Sequence, residues 1–475
     1  MNRAQALPLD VRTLLGGALA VACSAAAGVA VGSPSIGPGS LQTVGALAAV
    51  GVVVATVAHA RVGLVIVILS LGLPLSTDAG GVNIHLAHVL LAAYSLRAVL
   101  ELLFGHGRLP ANIGIPSLVV ALGAVVASLA GPRTGGSLYS LLDVVALPLA
   151  AGVATAILVD VRRDLPLIAT AVAAGLLLTS LTALLQASGF TIGPLAAVEE
   201  GRANGLFQHP NVLSGYLAPQ ITLTMGLAAC APRRVPFGPI LLPAAVLLGV
   251  AALVFTLSRG ALLGLAAGIA IMIVLLIARR QVTAVLGVVL VIVVTLFVTL
   301  PQVPQTQREA FQERFQRLFQ PGTEVGRQLA LIQARQLIAD YPLTGVGPLT
   351  FGRLSRERSP FGDVEAGREH SHNFFLESYL SFGPVGLLAL LWLLGAAAWR
   401  YGRASRAGPG SDQLVVGWSI GAIAAFAAVL VQGLGDFVFT NLELFALLLI
   451  VAGVAYARNL VASRPDSARA YASAP

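Results

Sequence analysis

Long apolar runs recur along nearly the whole chain, and each is as long as a membrane-spanning helix. Such a helix needs about 17–25 largely apolar residues in succession. Inside lipid only helices and closed barrels satisfy their backbone hydrogen bonds, and these runs lack the period-two alternation of barrel strands. With 57% hydrophobic and 11% charged residues, the chain is predicted to be an all-α polytopic membrane protein.

We expect about twelve to fourteen transmembrane helices, one for each apolar run of sufficient length. The stretch 239–278 carries Arg259 at its centre and is about twice as long as one crossing. It is therefore predicted to form two antiparallel helices joined at Ser258, Arg259 and Gly260. The predicted spans are 12–32, 41–58, 62–76, 84–104, 113–131, 138–159, 165–187, 211–231, 239–257, 260–278, 282–300, 372–399, 413–434 and 440–460.

The basic residues predict the orientation, because short cytoplasmic loops are enriched in them. All 29 basic residues are arginine. Short loops on one side contain only Arg133, Arg202 and Arg259. The opposite side, which we assign to the cytoplasm with both termini, contains Arg61, Arg108, Arg162, Arg163, Arg233, Arg234, Arg279, Arg280, Arg400, Arg403 and Arg406.

This orientation predicts one large extracytoplasmic loop with amphipathic helices. In "QREAFQERFQRLFQ" (307–320), phenylalanines fall on one helical stripe with charges opposite, which is typical of a helix at the membrane interface. A second amphipathic helix is predicted near 326–339. The predicted parts are an N-terminal transmembrane bundle (1–300), the loop (301–371), C-terminal transmembrane helices (372–461) and a cytoplasmic tail (462–475).

Four polar segments fall on the extracytoplasmic side and are expected to meet there. They are "EEGRANGLFQHPN" (199–211), "SRG" (258–260), "GRQLALIQARQL" (326–337) and "EHSHNFFLESYLSFGPVGLL" (369–388). Ionisable groups at a membrane helix are costly, so they are functional candidates.

His372 is the strongest candidate for acid–base chemistry. We expect Ser371 to cap the following helix, Pro384 to kink it, and His372 to share a stripe with Gly383 and Gly386. A histidine at the water-facing end of this stripe can accept a proton near neutral pH. The alternative is an interfacial histidine that only caps the helix.

Arg202 and Arg259 would suit a diphosphate whose lipid tail lies in the bilayer. A guanidinium keeps its charge and matches phosphate oxygens with two parallel hydrogen bonds. The alternatives are a polar residue required by the helix turn, for Arg259, and a solvated loop charge, for Arg202.

The sequence gives little support for metal or nucleotide chemistry. It has no Asp-x-Asp pair, no His-Glu-x-x-His and no phosphate loop, so no metal and no cofactor are expected. His85 and His88, three residues apart on a predicted helix, are a weak candidate for a zinc site. Asp436 and Glu443 could bind a cation, but turn residues at the bilayer surface explain them more simply. The net charge of +8 reflects loop arginines rather than nucleic-acid binding.

Four ordered segments resemble the O-antigen ligase family. His372-Asn373 followed by Gly383 and Gly386 resembles its signature, and "GRANGLFQHPN", "TLSRGALLGL" and "DYPLTGVGPLTFG" are similar to its other blocks. The likeness covers roughly 199–386. The family includes O-antigen ligases, O-antigen and exopolysaccharide polymerases, and protein O-oligosaccharyltransferases alike.

The resemblance implies a metal-independent inverting glycosyltransferase in the bacterial cytoplasmic (inner) membrane, with its active site on the extracytoplasmic face. It would move a glycan from a polyprenyl diphosphate carrier to a hydroxyl of a glycan, lipid or protein acceptor. By motif match the family's histidine falls on His372. Its expected substrate-binding residues fall on Arg202, Arg259, Arg327, Asn373, His209 and Asn211. This chain departs from the family pattern in two ways. The family usually has about twelve spans, whereas up to fourteen are predicted here, and some ligases use a lysine, which this chain lacks.

A transporter or flippase of lipid-linked saccharides is the alternative from another class. It would also need many spans and arginines near phosphate, but its charges should line a path through the midplane. Here the polar segments fall on one face, and no inverted repeat is visible.

Overall fold

The computed structural model is a bundle of apolar helices with one short β-hairpin among the residues it describes. The structure describes residues 41–79, 82–132, 140–190, 201–305, 308–309, 312, 325–358, 370–406, 411–436 and 441–460. The helices are α1 (Leu41–Ala58), α2 (Ala60–Leu71), α3 (Leu86–Leu103), α4 (Ala111–Ala130), α5 (Leu147–Leu158), α6 (Val161–Ala187), α7 (Pro210–Cys230), α8 (Gly238–Phe255), α9 (Arg259–Ala278), α10 (Val282–Thr299), α11 (Val325–Asp340), α12 (Phe351–Glu357), α13 (Phe374–Ser405), α14 (Gln413–Gln432) and α15 (Leu442–Tyr456).

The predicted all-α polytopic membrane class is confirmed. Within the described ranges, 9 helices are long and apolar enough to cross a membrane, and further apolar helices are shorter. Each predicted span from 41–58 onward overlaps a helix. The first predicted span, 12–32, and most of the predicted amphipathic helix 307–320 lie outside the described residues, whereas the second loop helix is present as α11.

The predicted hairpin at Arg259 is confirmed. Helix α8 ends at Phe255 and α9 begins at Arg259. Between them Leu257 adopts a left-handed backbone conformation, with φ of 51°. This tight reversal brings Arg259 to one end of the bundle instead of the middle of a long helix.

The predicted span 62–76 is shorter than expected. Helix α2 ends at Leu71, just before Gly72 and Pro74, and proline has no N–H with which to continue a helix. The chain then forms strands β1 (Ser76–Ala79) and β2 (Val82–His85), paired antiparallel. The hairpin leads into α3 and positions His85 at its first turn.

Glycines let three helices come into backbone contact. A Cβ built on Gly226 of α7 would lie 2.5 Å from the carbonyl oxygen of Gly417 in α14. Further along α14, a Cβ on Gly264 of α9 would lie 2.4 Å from the carbonyl oxygen of Ala428. Both distances exclude a side chain, which is typical of close packing in membrane bundles. Helix α14 is thereby packed closely against both α7 and α9.

Polar contacts sort the helix ends into two groups. At one end, Arg61 Nε lies 2.5 Å from Asp164 Oδ1, and Asn459 Nδ2 donates to Asp160 Oδ2 at 2.9 Å. All four residues belong to segments assigned to the cytoplasmic side by the arginine distribution. The contacts of the polar segments described next lie at the other end.

Helix α13 is broken near the predicted kink. Gly383, directly before Pro384, has φ of 69° and ψ of 176°, which are not helical values. The break frees the carbonyl of Leu380, which accepts hydrogen bonds from the amides of Val346 (2.7 Å) and Gly347 (3.0 Å). The loop segment is therefore bonded to the helix at its break.

Candidate functional site

The segment that begins α13 holds His372 in an unusual backbone conformation. Asn373, not Ser371 as predicted, caps the helix, because its side-chain oxygen accepts from the amides of Phe375 (3.0 Å) and Leu376 (3.1 Å). The Ser371 amide instead donates to the buried Glu377 carboxylate at 2.8 Å. Between these anchors His372 has φ of 53°. Such strain in a non-glycine residue is concentrated at functional sites.

The imidazole of His372 lies beside a carboxylate from another helix. Its Nδ1 is 3.7 Å from Asp436 Oδ1, and the two side chains are 11% and 6% exposed. Asp436 lies directly after α14, with its amide bonded to the carbonyl of Gln432 at 3.0 Å. The close packing of α14 therefore fixes the position of the carboxylate.

Asp436 is a buried carboxyl group beside two histidines. Burial alone would raise the pKa of its carboxyl group, but the adjacent His372 and the positive charges of His370 and Arg327 hold that pKa below its usual value. Asp436 lies in the turn after α14, as the sequence suggested, but it is buried instead of exposed at the bilayer surface.

His370 completes a cluster of three potential metal ligands. Its ring centroid is 4.6 Å from that of His372. One nitrogen from each histidine and one oxygen from Asp436 lie within 4.8 Å of one another. A search for metal-binding motifs in the sequence does not find this group, because Asp436 is far along the chain from the two histidines.

Arg202 is buried and bonded in two directions. Its Nε donates to the carbonyl oxygen of Thr256 at 2.8 Å, and one terminal nitrogen donates to Asn211 Oδ1 at 2.6 Å. The amide of Asn211 donates to His209 Nδ1 at 3.0 Å, which caps α7. Arg202 is 9% exposed, so it is not a solvated loop charge. His209 and Asn211 position Arg202.

The contact with Thr256 connects Arg202 to the turn before Arg259. A Cβ built on Gly260, the next residue, would lie 3.9 Å from the Asp436 Cβ. The first turn of α9 therefore lies against the segment that carries Asp436. Arg327, near the start of α11, is close enough for its charge to lower the pKa of Asp436. The structure thus gathers the polar segments at one end of the bundle.

A second polar group lies at the starts of α3 and α15. His85 Nδ1 is 3.1 Å from Glu443 Oε1, and His88 Nε2 contacts Asp143. Each histidine therefore lies beside its own carboxylate. Glu443 is 1% exposed, so it too is not a surface turn residue.

Comparison with known families identifies the part of the chain that holds much of this site. Residues 244–391 match the family model described as O-antigen ligase, which confirms the resemblance. No curated protein matches the chain at a significant level. The matched region contains Arg259, Arg327 and His372, whereas Arg202 and Asp436 lie outside it. The match supports an O-antigen ligase-like glycosyltransferase activity in polysaccharide assembly and, with the apolar helices, a multi-pass protein of a bacterial membrane.

Proposed function

We propose that this protein, which carries an O-antigen ligase domain at residues 244–391, transfers a glycan from a polyprenyl diphosphate carrier to an acceptor hydroxyl. The reaction would take place at the extracytoplasmic face of the bacterial inner membrane. The observation that carries the proposal is the His372–Asp436 pair. This pair lies at the same end of the bundle as the polar segments that contain Arg202, Arg259 and Arg327.

His372 is the proposed general base. It takes the proton of the acceptor hydroxyl while that oxygen bonds to the anomeric carbon and the bond from this carbon to the diphosphate oxygen breaks. Asp436, whose Oδ1 lies 3.7 Å from the ring Nδ1, stabilises the imidazolium that forms through its negative charge. A single displacement from the face opposite the leaving group inverts the anomeric configuration.

The arginines are proposed to stabilise the departing diphosphate. Its negative charge grows as the glycosidic bond breaks, and fixed guanidinium groups in a site shielded from water stabilise such charge strongly. Arg202 is held in place before substrate arrives by Thr256 and Asn211. Asn373 serves the base less directly, because its side chain caps α13 and donates to the Leu434 carbonyl at 3.2 Å.

The flippase alternative predicts a different arrangement of charge. A transporter binds its substrate near the bilayer midplane between two access routes. Among the described residues, the His372, Asp436 and Arg202 contacts all join segments at one end of the bundle. This arrangement favours a reaction at one surface.

The test is the initial rate of transfer by the full-length protein in lipid nanodiscs. Donor is a polyprenyl diphosphate-linked glycan isolated from the source bacterium, and acceptor is its envelope glycan and lipid fraction. We expect His372→Ala to lower the rate at least about a hundredfold, the usual contribution of a general base, while thermal unfolding stays close to wild type. The matched control is His106→Ala, at a histidine that is 75% exposed. A fully active His372→Ala would overturn the assignment.

A second variant separates positioning from packing. Asp436→Asn keeps the shape of the side chain but removes the negative charge that stabilises the imidazolium formed during proton transfer. We expect kcat to fall at least about tenfold, or 1.4 kcal/mol, while the KM for the acceptor and the unfolding midpoint stay close to wild type. A lower kcat accompanied by a lower unfolding midpoint would assign Asp436 a purely structural role.

A further inference from the structure

We propose that His370, His372 and Asp436 form a binding site for a zinc-class divalent cation, and that its occupation blocks transfer. Two imidazoles and one carboxylate are a ligand set that binds zinc in catalytic sites with an open fourth position. The blocking half of the proposal rests on the proposed function of His372. The binding half rests only on the geometry of the cluster.

The three side chains are close to the spacing that zinc requires. Zinc binds nitrogen and oxygen at about 2.0–2.2 Å, which places tetrahedral ligand atoms about 3.3–3.6 Å apart. His372 Nδ1 and Asp436 Oδ1 are already 3.7 Å apart. All three ligand atoms lie within 4.8 Å of one another, so side-chain rotation of His370, which is half-buried, is enough to close the site.

The cluster also has coordinating capacity that the protein does not use. His372 Nδ1 is buried but makes no hydrogen bond within the described part of the chain. Its left-handed backbone conformation, together with the cap at Asn373, holds its ring against that of His370. A cation would bond this nitrogen and the Asp436 carboxylate at once, whereas the two atoms, 3.7 Å apart, are too distant to share a hydrogen bond.

The nearby arginine limits the affinity. Arg327 is close enough to act on Asp436 electrostatically. Its positive charge therefore repels a metal cation bound to that carboxylate. We therefore expect reversible binding, weaker than at a structural zinc site with four protein ligands. A bound cation ties up the imidazole and carboxylate on which the proposed proton transfer depends, so transfer stops until the cation leaves.

The binding half is tested without substrate. Zinc chloride is titrated into the full-length protein, purified without a polyhistidine tag in nanodiscs, against a chromophoric chelator. We expect about one equivalent to bind to wild type, and His370→Ala to weaken it at least about tenfold, or 1.4 kcal/mol. His106→Ala, which removes one exposed histidine, should bind as wild type does. Equal zinc affinity in His370→Ala and wild type, or no binding by wild type, would overturn the site.

The blocking half is tested by transfer rates. Zinc should inhibit wild type over the concentration range in which it binds, and EDTA should restore the rate. In His370→Ala the inhibition, taken relative to that variant's own zinc-free rate, should need at least about ten times more zinc. Stimulation by zinc, or loss of the wild-type rate in EDTA, would overturn the blocking role. If His372→Ala retains transfer, His372 is not the general base. The chelator titration still shows whether zinc binds at His370, His372 and Asp436.

Discussion

Binding a diphosphate and marking a helix turn place different requirements on an arginine side chain. A turn at the membrane surface needs only a cation, and lysine provides one. A diphosphate bound by the planar fork of a guanidinium loses that geometry with lysine. We expect Arg202→Lys and Arg259→Lys each to lower the transfer rate at least about tenfold, or 1.4 kcal/mol of transition-state stabilisation.

The control for these variants is Arg356→Lys. Arg356 is exposed on α12, on the same side of the bundle, and its replacement should leave the initial rate at saturating acceptor unchanged. Arg133, in another outer loop, lies outside the described residues, so Arg356 is the better control. Full rates in both lysine variants would show that Arg202 and Arg259 serve only the fold and its topology.

The site residues differ in how well the sequence could predict them. His372, Arg202 and Arg259 could be identified because ionisable side chains are costly at a membrane helix, and because they fall in the matched motifs. Asp436 could not, because its role depends on the end of α14 lying beside the start of α13. That contact is set by glycine packing along α14, which leaves no signal near Asp436 itself.

At the scale of elements, the broken helix α13 gives a direct prediction. Gly383 has φ of 69°, and a Cβ there would lie 3.0 Å from the Thr344 carbonyl oxygen. Gly383→Ala should therefore lower the free energy of unfolding by about 1–3 kcal/mol. On the same helix, a Cβ at Gly395 meets nothing within 4 Å, so Gly395→Ala should be neutral or slightly stabilising.

Thermal unfolding in nanodiscs measures both variants. A midpoint of Gly383→Ala equal to that of Gly395→Ala would contradict the strained break.

The presence of each long helix could be predicted from the length of its apolar run, whereas the residues at which it begins and ends could not. Proline and glycine ended α2 early, and Asn373 replaced Ser371 as the cap because the Ser371 amide bonds to Glu377.

At the scale of the whole molecule, the sorted helix ends give an orientation that labelling can test. Contacts within the structure place segments at two ends, and the arginine distribution assigns one of them to the cytoplasm. Ser188 follows α6 at the proposed outer end, and His106 follows α3 at the proposed inner end; both are exposed. In a background with Cys23 and Cys230 replaced, Ser188→Cys should react with a membrane-impermeant thiol reagent in spheroplasts, and His106→Cys only after lysis.

The reverse labelling pattern would invert the bundle and place the site in the cytoplasm. Both variants should carry label after lysis, which shows that each thiol is accessible. Equal labelling before lysis would indicate leaky membranes, and a periplasmic and a cytoplasmic marker enzyme check for this in the same preparation.

The break in α13 also makes the helix a mechanical linkage. Leu380 belongs to a small apolar core with Ala330, Leu337 and Phe351 of the loop helices, and its carbonyl is bonded to Val346 and Gly347. Two turns before it, the same helix carries His372 at its tip. We therefore expect a displacement of the loop, such as one caused by a docking acceptor, to move the start of α13 and the His372 imidazole with it. The break at Gly383 separates these first turns of α13 from the rest of the helix.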